Sequence, residues 1–281
     1  MRPDVVEGVK NLISARAPEL DFLGISWFGG EPLMAYDIVL DVMRLANRLA
    51  SDHKFVLSSN ISTNMSLLTR ERLDALTALR VNRYQVSFDG DKEYHDRMRL
   101  RVDGKGTFDQ LWDRLEEARL STSSFRMDIR VHVTSENASS VESLIERLAE
   151  PLKGDDRFRL WIRPLSRFGA QNDALLPILS DGEKPWLSAG QAVGELRTKA
   201  KGMGLVLNDL VSDICYATKL NTFLVRSDGR LGKCTVALDN TVGSLLPDGR
   251  MEIDPVKARW WSRGLVSGDR NQLACPLNAT V

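Results

Sequence analysis

Gly29-Gly30-Glu31-Pro32 follows the strand-like run Ile25-Ser26-Trp27-Phe28. Two glycines let a backbone pass close to a small molecule, because no Cβ stands in the way. Glu31 adds an acceptor for an ammonium group, and Pro32 suits the first position of a following helix. The same four residues also suit a plain strand–helix turn. Polar residues recur where other strand-like runs stop: Ser62-Thr63-Asn64, then Ser87-Phe88-Asp89-Gly90 with His95-Asp96 and Arg99, then Arg163-Pro164-Leu165. Strand ends of this kind are where parallel α/β folds place their ligands. Each has a plainer reading: Asp89-Gly90 is a common turn, Thr63-Asn64 a helix-start signal, and Arg99 lies in a charged run. Three cysteines, Cys215, Cys234 and Cys275, fall in the last quarter of the chain. Their odd number and wide spacing leave metal ligation or burial rather than a disulfide framework.

Periodicity supplies the elements that would position these residues. Residues 5–15 read as a helix and 22–28 as a strand; Ile38, Val42, Leu45, Ala46 and Leu49 predict a helix over 35–50. A strand at 55–58, a helix presenting Leu73, Leu76 and Leu79, and a strand at 84–88 follow. Thr107 with Gln110 predicts a capping box for the helix carrying Leu111, Leu115 and Ala118, and Ser139 with Glu142 predicts a second. Further strands are expected at 125–133 and 158–165. Strands separated by single helices imply right-handed parallel βαβ units, a barrel or part of one. The pattern opens on a helix, so a first strand is expected to be missing. Residues 166–183 lose periodicity, 186–203 read as a helix, and Asp228-Gly229 and Pro247-Asp248-Gly249 mark turns of a hairpin-rich end.

At 281 residues the chain suits one large α/β domain with or without an appendage. Lys plus Arg equals Asp plus Glu, 38 each, so no charge field points to nucleic acid or an anionic membrane. No apolar stretch reaches the roughly 20 residues that span a bilayer. Met1-Arg2-Pro3-Asp4 lacks the apolar core of a secretory signal, so a cytoplasmic location is expected.

In order and spacing, these residues resemble the radical S-adenosylmethionine (SAM) enzymes, and more narrowly their SPASM-type peptide-modifying branch, from about residue 5 to the C-terminus. The resemblance implies an α/β fold: a partial (β/α)6 barrel of radical-SAM type lacking its first strand, over 1–168. A linker and helix (169–207) and a small hairpin-rich SPASM-like unit (208–281) complete it. By resemblance, Gly29, Gly30 and Glu31 receive the SAM amino group, and Thr63 and Asn64 lie near its adenosine–methionine pocket. Ser87 and Asp89 of a Ser-x-Asp-Gly motif, with Arg99 twelve residues after Ser87, serve the ribose and carboxylate region, and Leu165 covers the adenine. Cys215, thirteen residues, Gly229, four residues and Cys234 match the family's signature for an auxiliary [4Fe–4S] cluster, with Cys275 as a third ligand.

The resemblance also implies a radical-generating [4Fe–4S] cluster held by Cys-x3-Cys-x2-Cys, yet no cysteine precedes Cys215. The expectation is therefore truncation at both ends and a chain inactive by itself, with no catalytic side chain assigned. Gln272 and Asn278 stand where Cys275 would have a partner, leaving the auxiliary set one thiolate short of four. Thr235 after Cys234 disfavours the sulfatase-activating subgroup. Implied partners are a precursor peptide or protein and an electron donor such as ferredoxin or flavodoxin, with neither nucleic acid nor membrane. The rivals are a degenerate, non-catalytic SAM- or peptide-binding homologue and an unrelated barrel meeting a phosphate at Gly29-Gly30. An unpaired edge at 22–28 is expected to make the chain poorly soluble or partner-dependent.

Overall fold

The computed structural model describes residues 1–167, 173–179, 190–209 and 213–279. Contacts divide the chain into two compact units, residues 22–43 with 56–209 and residues 1–21 with 44–55 and 210–281. The opening helix thus groups with the C-terminal residues, whereas the sequence placed it with the barrel.

In the larger unit, strands β1 (Phe22–Trp27), β2 (Val56–Ser62), β3 (Val81–Ser87), β4 (Arg126–Val133) and β5 (Phe158–Pro164) form a parallel sheet in the order β1-β2-β3-β4-β5. Helices α3 (Arg70–Ala78), α4 (Lys92–Met98), α5 (Phe108–Arg119), α6 (Ala138–Leu152) and α7 (Gln191–Gly202) complete the alternation. Helix α2 (Tyr36–His53) lies in the chain between β1 and β2. The expected α/β class and parallel order are present. Residues 186–189 of the expected helix, and residues 168–172 and 180–183 of the expected linker, lie outside the described residues.

Strand β4 shows how the sheet is used. Met127, Ile129, Val131 and Val133 are fully buried, while Arg126, Asp128, Arg130 and His132 alternate with them on the opposite face. The register sets Ser87 beside Arg130, Arg130 beside Trp161, and His132 beside Arg163. One face therefore carries the hydrocarbon core and the other a polar band. At the sheet's edge, β1 pairs with β2 alone among the described residues, and Phe22 is 58% exposed.

Neither expected capping box forms. Asp96 Oδ1 accepts from both Thr107 N and Phe108 N at 2.8 Å, so a carboxylate from the preceding helix caps α5. The Thr107 hydroxyl is drawn to His95 and the Arg99 carbonyl instead, and Gln110 donates to Ser66 O. Helix α6 starts at Ala138 after Asn137, so Ser139 and Glu142 lie inside it. At α5 a longer-range acceptor displaces the local pairing; at α6 the helix begins one residue before the expected cap.

The smaller unit holds an antiparallel sheet of β6 (Leu224–Val225), β7 (Arg230–Gly232), β8 (Gly243–Leu245) and β9 (Met251–Ile253), followed by α8 (Pro255–Ser267). Both turn signals fall between paired strands, with Gly229 and Gly249 at φ 89° and 87°. Helix α1 (Pro3–Arg16) is tied to each turn: Arg2 donates to Ser227 O and Asp228 O, and Asn11 to Pro247 O. Trp261 is buried with Leu231, Val242 and Leu245.

Gly8 of α1 has no room for a side chain, since a Cβ there would stand 2.5 Å from Leu246 O. An alanine ordinarily strengthens a helix interior by about 1 kcal/mol. Gly8→Ala should instead destabilise by about 1–3 kcal/mol, the cost of overpacking. Gly194→Ala in α7, where a Cβ meets nothing within 4 Å, should be neutral or stabilising. Urea unfolding of the two variants checks the contrast.

Candidate functional site

Gly29 and Gly30 turn the chain out of β1 at φ 99° and 52°, and no atom lies within 4 Å of where a Cβ would sit on either. The left-handed turn therefore favours glycine, and the space above it is open. Glu31 then joins two strand tips. Its Oε1 accepts from Leu33 N at 3.0 Å and from the Thr63 hydroxyl at 2.7 Å; its Oε2 accepts from Asn64 N at 2.6 Å. A carboxylate offers about four lone-pair sites, so Oε2 retains one for a further donor. Thr63 Oγ1 also accepts from Met65 N, and Asn64 Oδ1 holds Ser66, which fixes the loop after β2.

At the tip of β3, Ser87 is buried and its hydroxyl has no hydrogen-bond partner among the described residues. Asp89 is gripped by Arg99, Nε to Oδ2 at 2.5 Å and Nη2 to Oδ1 at 3.3 Å. Burial pushes the Asp89 carboxyl up, but the hydrogen bond and charge of Arg99 outweigh it and hold the group below the usual range. Arg99 is thus no member of a solvated face. Asp89 N donates to His95 Nδ1 at 3.3 Å, so Nε2 carries the hydrogen and donates to Thr107 Oγ1 at 3.0 Å. Thr107 passes its own hydrogen to Arg99 O at 2.9 Å. This chain closes only around neutral His95, and burial moves its pKa the same way, downward. Asn137 binds Asp89 O at 2.8 Å and His132 O at 2.9 Å, coupling the tips of β3 and β4. Leu165 is anchored through its backbone to Val133 O.

The sheet brings two further residues to this band that the motif search missed, Arg130 and His132, and adds Arg163. Burial, then the charge of Arg130, pushes His132 down to about 4, although Asp89 pulls the other way. Burial likewise lowers Arg130 and Arg163. The signal was present in the sequence. A parallel strand covered on both faces reads as near-continuous hydrocarbon, whereas β4 alternates charge with apolar residues.

The family model for the radical SAM superfamily matches residues 2–148, just over half of the 281-residue chain. The chain belongs to the radical SAM superfamily. No match was found among curated proteins. Among solved structures, native anSMEcpe with bound AdoMet is 18% identical at a TM-score of 0.64, over 92% of this chain and 71% of the other. The same protein with bound AdoMet and Kp18Cys peptide matches at 0.65, over 100% of this chain and 76% of the other. Streptococcus suis SuiB bound to precursor peptide SuiA is 14% identical at 0.57, over 94% of this chain and 60% of the other. At these identities the likeness is one of fold.

The three cysteines of this radical SAM chain lie in the smaller unit. Cys234 is buried and Cys215 half-buried against the cluster around Trp261. Burial pushes the Cys215 thiol up, and Cys275 and Cys234 add to it as like charges within electrostatic reach. Among the described residues, however, no three His, Cys, Asp or Glu side chains are grouped to hold a metal ion. Lys233 dominates this region instead. Its buried Nζ donates to Lys219 O and Thr222 O, both at 2.6 Å, with Leu220 O at 3.4 Å. Burial lowers Lys233 to about 8, so at neutral pH the ammonium remains to supply these hydrogens.

Glu31→Ala should leave the buried Thr63 hydroxyl and two backbone N–H groups without their acceptor, costing about 2 kcal/mol. Loss of amide protection at Leu33 and Asn64 in hydrogen exchange would register it. His132 predicts acid sensitivity. Its unfolded pKa is about 6.5, so the unfolded chain takes up a proton that the folded chain refuses. Stability is complete above about pH 6.5 and falls as pH drops toward 4, by about 1–2 kcal/mol at pH 5. His132→Gln should flatten that slope in urea titrations between pH 7 and 5.

Proposed function

We propose that the strand tips of the parallel sheet bind SAM, and that the activity they serve is radical modification of a peptide. Family membership supports the cofactor, and the tip of β1 carries the reading: open glycine backbone beside a carboxylate with one lone pair to spare. Gly29, Gly30 and Glu31 hold the SAM amino group, and Thr63 and Asn64 keep Glu31 aimed. The unpartnered Ser87 hydroxyl takes a polar group of the nucleoside. Asp89 acts by holding Arg99 at the rim, and Leu165 packs over the base. Bound SAM supplies the carbon–sulfur bond whose reductive cleavage starts radical chemistry in this superfamily.

That cleavage needs an electron from a [4Fe–4S] cluster held by three thiolates. No cysteine precedes Cys215, so the residues present do not fit that cluster. We accordingly assign to this chain by itself SAM binding without SAM cleavage. The absent cysteines equally favour a second reading, a non-catalytic SAM- or peptide-binding homologue. Cys215, Cys234 and Cys275 would contribute to an auxiliary [4Fe–4S] cluster, with their convergence as support; as they stand they form no cage, and the proposed chemistry does not pass through one. The substrate class is a precursor peptide, supported by neighbours bound to peptides. A ferredoxin- or flavodoxin-like donor and a cytoplasmic setting complete the proposal. Among the described residues no helix is long and apolar enough to cross a membrane.

Calorimetric titration with SAM tests the reading. The chain should bind SAM, and Glu31→Ala should weaken it by roughly tenfold or more, a charge-assisted bond. Gly30→Ala should keep the fold, at about 1–2 kcal/mol for a left-handed alanine, yet lose SAM, because its methyl enters the ligand's space. Absence of binding by the parent chain, or binding indifferent to both substitutions, would remove the proposal.

A further inference from the structure

The polar faces of β4 and β5 carry two cations that the SAM reading leaves unused. The side chains of Arg130 and Arg163 make no hydrogen bond or ion pair with any described residue. Arg163 lies over the Trp161 ring, 4.8 Å from its centroid. Arg130 Nε is buried with no acceptor. Asp89, the carboxylate acting on Arg130, is already committed in two-point fashion to Arg99. A guanidinium stays charged at any ordinary pH, and a buried donor without an acceptor is costly. The pair therefore calls for an anion that the described residues do not supply. His132 stands beside Arg163 in the register and two residues after Arg130 on the same face, and the charges of both arginines add to the burial that lowers its pKa.

We propose that Arg130 and Arg163, with His132 beside them, form a carboxylate-binding subsite for an acidic side chain of the peptide that this fold receives. The planar fork of arginine matches a carboxylate at two points, and Trp161 orients one fork by stacking. This inference rests on the placing of SAM at the β1 tip. The amino and carboxylate groups of SAM share one carbon. Adjacent strands are about 4.8 Å apart, so β5 lies about 19 Å along the sheet from β1. A SAM whose amino group meets Glu31 cannot bring its own carboxylate to Arg163. Arg130 and Arg163 are therefore left for a carboxylate other than SAM's own.

Selection of a display library of random short peptides by the whole chain, in the presence of SAM, tests the subsite. Wild type should retain peptides enriched in Asp and Glu. Arg163→Gln should abolish that enrichment and weaken a selected acidic peptide by roughly tenfold or more, with SAM affinity unchanged. Arg163→Lys should recover part of it. Arg130→Gln should act alike where its melting curve matches wild type, and Arg163→Gln decides where it does not. No acidic enrichment by wild type overturns the proposal. So does loss of SAM affinity in Arg163→Gln with acidic selection intact, which would give the cations to the SAM carboxylate. Acidic selection that depends on Arg163 in a chain that takes up no SAM would sink the cofactor reading and leave the subsite standing.

Discussion

A parallel sheet that spends one face on hydrocarbon must satisfy its other face by different means, and that constraint organises the larger unit. In β4 the strict alternation gives Met127, Ile129, Val131 and Val133 to the core and Arg126, Asp128, Arg130 and His132 to the polar band. Helices cannot solvate that band with methyl groups. The chain meets the requirement with side-chain networks at the strand tips, and what the networks leave unsatisfied is what a ligand can use. Ser87 Oγ, one lone pair of Glu31, and the guanidinium groups of Arg130 and Arg163 are such remainders.

The networks explain why these remainders are held in place. Glu31 makes the tips of β1 and β2 one rigid piece through three accepted hydrogen bonds. Asn137 does the same for β3 and β4. Between them, Asp89, Arg99, His95 and Thr107 form a ring of interactions in which each donor has one acceptor, and it requires neutral His95. The same ring consumes Thr107, which is why the α5 cap comes from Asp96. Capping, tautomer and ion pairing are thus one solution to one local problem.

The smaller unit follows a different logic. Its hairpins are too short to bury a core alone, and α1 docks on their turns through Arg2 and Asn11, with Gly8 left bare to allow the approach. Lys233, clamped by three carbonyls beside Cys234, orders the loop after Cys215. The thiols are brought near one another by this packing, and no metal cage results among the described residues.

Strand number, parallel order and the turn glycines were readable from the chain, because periods of 2 and 3.6 and the demand for positive φ are local properties. The motif residues at the tips were readable for the same reason, each sitting where a run of apolar residues stops. Thr107 misled as a capping signal because its hydroxyl is taken by His95 and the Arg99 carbonyl, and Ser139 because the helix starts one residue earlier. Arg99 stood in a charged run and, by resemblance, beside Ser87 and Asp89 in the cofactor set, and only the fold shows that its guanidinium is spent on Asp89. Arg130 and Arg163, over thirty residues apart, become one cationic site through strand register. Local chemistry determined which elements exist; long-range pairing, invisible in any window of sequence, decided which charges meet.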